Sequence, residues 1–168
     1  MHRQLFAVLR ALVVAPLFVS IWMYFVPRWI AGADAFRDPR PLGWIVVAIG
    51  AVIGIPCVWE FAWRGFGTPA PFDPPRRLVV TGPYRWVRNP MYIGMGIALV
   101  GEALVFPHLT RIILIMTGVM WIAVSIFIML FEEPVLRSMF GADYEAYCRA
   151  VRRWIPRLKP FDKANDAA

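Results

Sequence analysis

The sequence predicts an all-α, polytopic membrane protein, one membrane-embedded domain over 1–168 with four transmembrane helices and a short C-terminal interfacial helix. Three observations carry this reading. Hydrophobic residues make up 60% of the chain and mean hydropathy is +0.58, against roughly 45–50% apolar content in a soluble domain. Four apolar blocks, at about 5–26, 42–61, 90–106 and 112–131, are of the length needed to cross about 30 Å of hydrocarbon at about 1.5 Å per residue. Basic residues are unevenly shared between the connecting segments. Residues 1–10, 63–91 and 132–168 hold fourteen Arg/Lys, and the two other loops hold four. The positive-inside tendency then places both termini, the 63–91 loop and the 132–168 tail in the cytosol. The expected location is a bacterial inner (plasma) membrane.

The first block, 5–26, is interrupted by Arg10, Pro16 and Ser20. Arg3 precedes it and Ala33-Asp34-Ala35 has the small-x-small form of a cleavage signal. Its apolar run nevertheless exceeds the roughly 7–15 residues of a signal-peptide core, so it reads as a span, kinked at Pro16. The second block carries Gly43, Gly50 and Gly54, small residues that let a neighbouring helix approach closely. In the 63–91 loop, Gly65, Gly67, Pro69, Pro71, Pro74 and Pro75 exclude a regular element from the first half. Leu78-Val79-Val80 then predicts a short strand-like piece before a turn at Gly82-Pro83.

The third block is long enough to span only if its helix begins at Asn89-Pro90, with Asn89 as the cap and Pro90 in the first helical position. A short Pro107-His108 connection makes it one arm of an antiparallel hairpin with 112–131. Glu102 lies well inside it, where a carboxylate has to be neutral, hydrogen-bonded or turned to a polar cavity. Pro134, directly after Glu132-Glu133, predicts a fixed turn. Beyond it the pattern predicts a short helix stopped by Gly141 and a second capped by Asp143. Tyr144, Tyr147, Cys148 and Val151 share one face of that second helix, and its basic amphipathic character fits the interface plane.

The charge balance of +7 does not indicate nucleic acid, because the arginines fall between apolar blocks and form no stripe on a polar domain. Cys57 and Cys148 have neither metal-ligand spacing nor the density of a disulfide scaffold, and no metal site is expected. The oligomeric state is not encoded in any recognisable pattern.

The chemistry concentrates in residues 81–96, TGPYRWVRNPMYIGMG. Arg85 and Arg88 offer rigid donors suited to a carboxylate or to anionic headgroups. Tyr84, Trp86 and Tyr92 are either interfacial anchors or pocket walls. Gly94 and Gly96, two residues apart, bare the backbone on opposite sides of a helix, which suits a neighbour on one side and a ligand on the other. A soluble nucleotide fingerprint is excluded, since Gly94-Met95-Gly96 follows no strand and lacks the third glycine. Glu132 and Glu133 close the last span on the same face.

The chain resembles the integral-membrane methyltransferase superfamily that contains isoprenylcysteine carboxyl methyltransferases and phospholipid N-methyltransferases. Gly82 to Gly94 matches the run Gly-x-Tyr-x-x-x-Arg-His-Pro-x-Tyr-x-Gly, with Asn89 in place of the usual His. Gly94-Met95-Gly96 matches the Gly-x-Gly of the phospholipid branch, Glu132-Glu133 the Glu-Glu pair of both branches, and Phe140 to Tyr147 a Phe-Gly-x-x-Tyr-x-x-Tyr run. The resemblance implies methyl transfer from S-adenosylmethionine to a lipid-like or prenylcysteine-like acceptor at the cytosolic membrane face, by carboxyl O-methylation or a related reaction. Phospholipid N-methylation is the nearest alternative, and a non-catalytic membrane protein retaining the fold is an alternative of another class. The cofactor-binding residues it implies are Arg88, Asn89, Pro90, Tyr92, Gly94, Gly96, Glu132 and Glu133. Arg85 and Asn89 are the catalytic candidates, and Arg85, Tyr144 and Tyr147 the substrate-binding ones. Asn89 donates a hydrogen bond but cannot titrate near neutrality.

Overall fold

A computed structural model describes residues 2–65 and 76–162, and among these the chain is helical throughout its regular parts, with no strand. Six α-helices follow in order: α1 (His2–Ser20), α2 (Val26–Ala31), α3 (Gly43–Glu60), α4 (Pro90–Val105), α5 (Thr110–Phe127) and α6 (Glu133–Ala150). Three wider π-helical turns, Ile21–Phe25, Phe61–Gly65 and Ile128–Glu132, extend or join them. The Pro-rich first half of the central loop lies outside the described residues, apart from Gly65. Leu78, Val79 and Val80 form no ladder, correcting the strand-like expectation. Instead Val79 is buried against Cys57 and Tyr84, while Leu78 and Val80 pack beside Tyr144, Tyr147 and Phe161.

Two of the π turns share a cause. In each, a proline follows two residues after the turn: Pro27 after Phe25 and Pro134 after Glu132. A proline has no N–H and its ring collides with the carbonyl four residues back. Here that carbonyl belongs to Met23 or Leu130, inside the wide turn. The chain relieves the conflict by bonding five residues back, Val26 N–H to the Ile21 carbonyl and Glu133 N–H to the Ile128 carbonyl. The helix therefore passes through Pro134, and the turn expected there does not form. From Pro107 to Ala150 helical turns follow one another over 44 residues, broken at Gly141, more than a bilayer core requires. Farther on, Gly141 (φ 49°, ψ −124°) leaves helical geometry, so α6 is two helices that meet at a kink, in keeping with the stop expected at Gly141.

Three helical stretches are long and apolar enough to cross a membrane: Leu12–Ala31, Gly43–Gly65 and Pro107–Ala150. Their large apolar side chains, such as Leu12, Val52, Ile55 and Ile122, are mostly exposed, as a lipid-facing surface is. The remaining helix, α4, has 16 residues, about 24 Å, and is the most enclosed. It packs antiparallel to α3 through small residues. A Cβ at Gly50 would lie 2.5 Å from the Gly94 carbonyl, and one at Gly101 2.5 Å from the Val47 nitrogen. No side chain fits either place, so the two backbones meet as closely as glycine allows. On its other side α4 buries Leu99 and Ala103 with Leu109, Ile113 and Met120 of the hairpin that α5 completes.

Tyr144, Tyr147 and Val151 do share a face, but protein covers that face: Phe161 and the 78–80 segment pack on it. The apolar side of α6's second half is thus part of a core.

Candidate functional site

The site begins where α3 ends. Glu60 accepts a hydrogen bond from the Thr81 hydroxyl (2.5 Å) and pairs with Arg64 (2.8 Å). This anchors the start of the 81–89 segment. Gly82 takes φ +56° with its Cα against the Glu60 side chain, where a Cβ would lie 3.0 Å from Glu60 Cγ. Here the left-handed conformation and the close approach both call for glycine. A 3-10 turn, Gly82–Arg85, then buries Tyr84, whose carbonyl accepts the Tyr147 hydroxyl proton at 2.6 Å. Burial drives the Tyr84 phenol well above its ordinary pKa, so it remains a neutral wall.

The C-terminal segment runs along the other side of 85–89. Arg88 N–H donates to the Arg152 carbonyl (3.0 Å), Arg157 N–H to Trp86 (2.8 Å) and Phe161 N–H to Arg85 (2.8 Å). Arg85 Nε donates back to the Phe161 carbonyl at 2.7 Å. Asn89 stands at the N-cap position of α4 but makes no side-chain cap. Its amide donates instead to the Arg153 carbonyl at 3.2 Å, correcting the capping role expected from the sequence.

Between these elements lies a pocket, part of it open to solvent. Phe61, Tyr84, Tyr144 and Tyr147 give it aromatic walls, Leu78, Val79, Ile128 and Leu136 aliphatic ones. Arg88, Asn89 and Glu132 supply the polar groups.

The two adjacent acids have different surroundings. Glu133 is 4% exposed and is held by three guanidinium groups: Arg153 Nε at 2.8 Å, Arg88 Nη1 at 3.2 Å and Arg137 Nη2 at 3.3 Å. Arg137 also reaches Glu145 at 2.8 Å. The bond to Glu133 raises the Arg153 pKa above its usual value. Glu132 lines the pocket, and among the described residues its carboxylate has no hydrogen bond or ion pair. Arg88 joins the two regions: Nη1 reaches Glu133 and donates to Cys148 Sγ at 2.7 Å, while its buried Nε has no partner.

Of the residues singled out in the sequence, the structure brings Arg88, Asn89, Glu132, Tyr144 and Tyr147 to this pocket. Pro90 is buried at the first turn of α4, and Tyr92 lies within electrostatic reach of Glu132. Gly94 backs onto Gly50 and Gly54, and Gly96 faces the Trp121 ring, where a Cβ would lie 3.3 Å from it. Both sides of that glycine pair are occupied by protein. Arg85 is turned to the tail. Glu102 is buried in α4, away from the pocket, with Oε2 unpartnered.

Sequence reasoning missed Arg137, Arg153 and the Cys148 contact, as well as the Phe61, Leu78, Val79 and Leu136 walls. Arg137 had a local signal, four residues after Glu133 on one helix. Arg153 had none. Among the described residues no His/Cys/Asp/Glu group is gathered for a metal.

No curated protein and no solved structure matches the chain. A family model described as phospholipid methyltransferase matches residues 39–143. That range runs from the loop before α3 through α4 and α5 into α6, and so includes Arg88, Asn89, Glu132 and Glu133. The chain belongs to the phospholipid methyltransferase family.

Proposed function

We propose that the protein is an S-adenosylmethionine-dependent methyltransferase acting on a lipid-like acceptor at the cytosolic face of a bacterial inner membrane. The observation that carries this is that Glu132, whose carboxylate has no partner among the described residues, and the Arg88 guanidinium line one aromatic-walled pocket. A ligand bearing both an ammonium and a carboxylate answers both groups, and its flat ring system suits the walls. The residues present therefore fit S-adenosylmethionine, the methyl donor that members of methyltransferase families generally use. When bound there it supplies an electrophilic methyl group on a sulfonium.

Glu132 and Arg88 hold the charged ends, and the Asn89 amide, fixed by Arg153, borders the same space. Tyr84, Tyr144 and Tyr147 exclude water and limit how reactants can lie, which is what an in-line displacement requires of a protein. Glu133 acts at one remove by fixing Arg88. Gly94, Gly96, Pro90 and Tyr92 set the position of α4 beside the pocket, and Arg85, bonded to the tail through Phe161, is the candidate for holding the acceptor's anionic group outside the pocket lining. The acceptor enters from the bilayer.

A carboxyl acceptor needs no base. An amine, favoured by the family's description, has to lose a proton first, and Asn89 cannot accept it. Incubating the purified protein with methyl-labelled S-adenosylmethionine and a total lipid and protein extract should place label in a membrane-partitioning fraction. Alkaline treatment then releases it from an ester but not from an amine. No transfer, with no saturable cofactor binding by folded protein, would favour a non-catalytic role.

Four spans with both termini in the cytosol complete the reading. The support is the distribution of basic residues and the packing of α4 between α3 and α5, both long apolar helices. Engineered cysteines at Asp34 and Asp162 should differ in intact cells, the first labelled by an impermeant reagent and the second protected. The reverse pattern would put the pocket on the side without S-adenosylmethionine.

A further inference from the structure

Beyond the methyl-transfer reading, we infer that the C-terminal strip 151–161 is a lipid-contacting strap, seated on an anionic bilayer surface and holding Arg88 and Asn89 through that seating. Depth comes first. The Trp154 ring packs on Trp121, centroids 4.5 Å apart, and Trp121 in turn covers Gly96. Gly96 is six residues, about 9 Å, inside the start of α4 at Pro90. The Trp154 ring therefore reaches below the level at which the helix begins, while the backbone of the strip lies against residues 85–89.

The strip is tied to protein on its inner side: the Val151, Arg157 and Phe161 N–H groups and the Arg152, Arg153 and Phe161 carbonyls bond to α6, 85–88 or Asn89. The rest of its backbone faces outward, as suits the wet headgroup level and not the hydrocarbon. Its outward side chains are of two kinds. Leu158 is 99% exposed and Ile155 58%, next to Trp86 at 42%, to which Arg157 is bonded through the backbone. Arg152 and Lys159 are exposed as well, and 151–161 contains four basic residues and no acid. Apolar tips between cations are complementary to a headgroup layer with negative lipids.

The strip is also wired to the pocket. Arg152 holds the Arg88 backbone, and the Arg153 carbonyl holds the Asn89 amide. The Arg153 side chain grips Glu133, the partner of Arg88. A strap lifted from the surface releases all three together.

The test uses the whole chain in nanodiscs of phosphatidylcholine, with or without phosphatidylglycerol. A fluorophore on Leu158→Cys, corrected for labelling of the parent, should be quenched by nitroxide lipids and shielded from an aqueous quencher, more strongly with phosphatidylglycerol. Arg152→Gln and Lys159→Gln should each lower that preference roughly fivefold. A probe quenched only from water in both discs overturns the seating. This readout involves no cofactor, so it stands apart from the methyltransferase reading on which the coupling rests. For the coupling, the double variant should bind S-adenosylmethionine more weakly than the parent in phosphatidylglycerol discs and equally in phosphatidylcholine discs. Equal binding in both overturns the coupling. A parent that binds in neither overturns the functional reading, while the quenching result still decides the seating.

Discussion

Glu132→Gln should weaken S-adenosylmethionine binding about ten- to hundredfold and leave folding almost unchanged. In the free protein the Glu132 carboxylate has no ion-pair or hydrogen-bond partner among the described residues, so removing its charge breaks nothing in the fold. In the complex it makes a charge-assisted bond to the ligand's cationic end, worth roughly 1.5–3 kcal/mol. At about 1.4 kcal/mol per decade, that gives the range stated. Calorimetric titration and thermal melting of the same preparation measure the two effects. Unchanged affinity would remove Glu132 from the site.

Glu133→Gln should do the opposite, acting first on stability. Glu133 is the buried counter-charge of Arg88, Arg137 and Arg153. Gln keeps the shape but leaves three guanidinium groups without it, and breaking a buried charge pair costs about 3–5 kcal/mol. For a chain of this size that corresponds to a fall in Tm of roughly 10 °C. Affinity for S-adenosylmethionine then falls as a consequence, through the loosened Arg88. A Glu133→Gln protein that melts like the parent yet fails to bind would mean Glu133 touches the ligand directly.

The contrast between these neighbours marks where the sequence stops being informative. The apolar blocks, the Pro90 helix start, the short hairpin at Pro107 and the close packing of Gly50 all follow from local composition and period. So does the grouping of Arg88 with Tyr144 and Tyr147, which the motifs carry. The division of labour between Glu132 and Glu133 does not. It depends on Arg153, twenty residues downstream across the kink at Gly141, and no local pattern announces such a contact. Pro134 misled for a related reason. A proline reads as a helix breaker, but the wide turn before it accommodates its ring and lets the helix continue. Asn89 has the residue type of a cap, yet its amide finds a carbonyl that only the folded tail supplies.

The wide turn at Ile128–Glu132 has one more consequence, for the phase of the helix. It takes up an extra residue, turning everything after it by about 100° relative to an uninterrupted α-helix. Up to Phe131 the apolar pattern is set by the bilayer. From Glu133 onward it is set by the pocket and the arginine cage, and the two patterns need not be in step. A single helix can therefore satisfy two unrelated faces, because the extra residue sits at their junction. Loss of one residue between Ile128 and Glu132 would bring α6 back into step with α5 and swing Tyr144, Tyr147 and Glu133 away from Arg88 together. In relatives, a one-residue gap at this point would change the site as surely as substituting any residue in its walls.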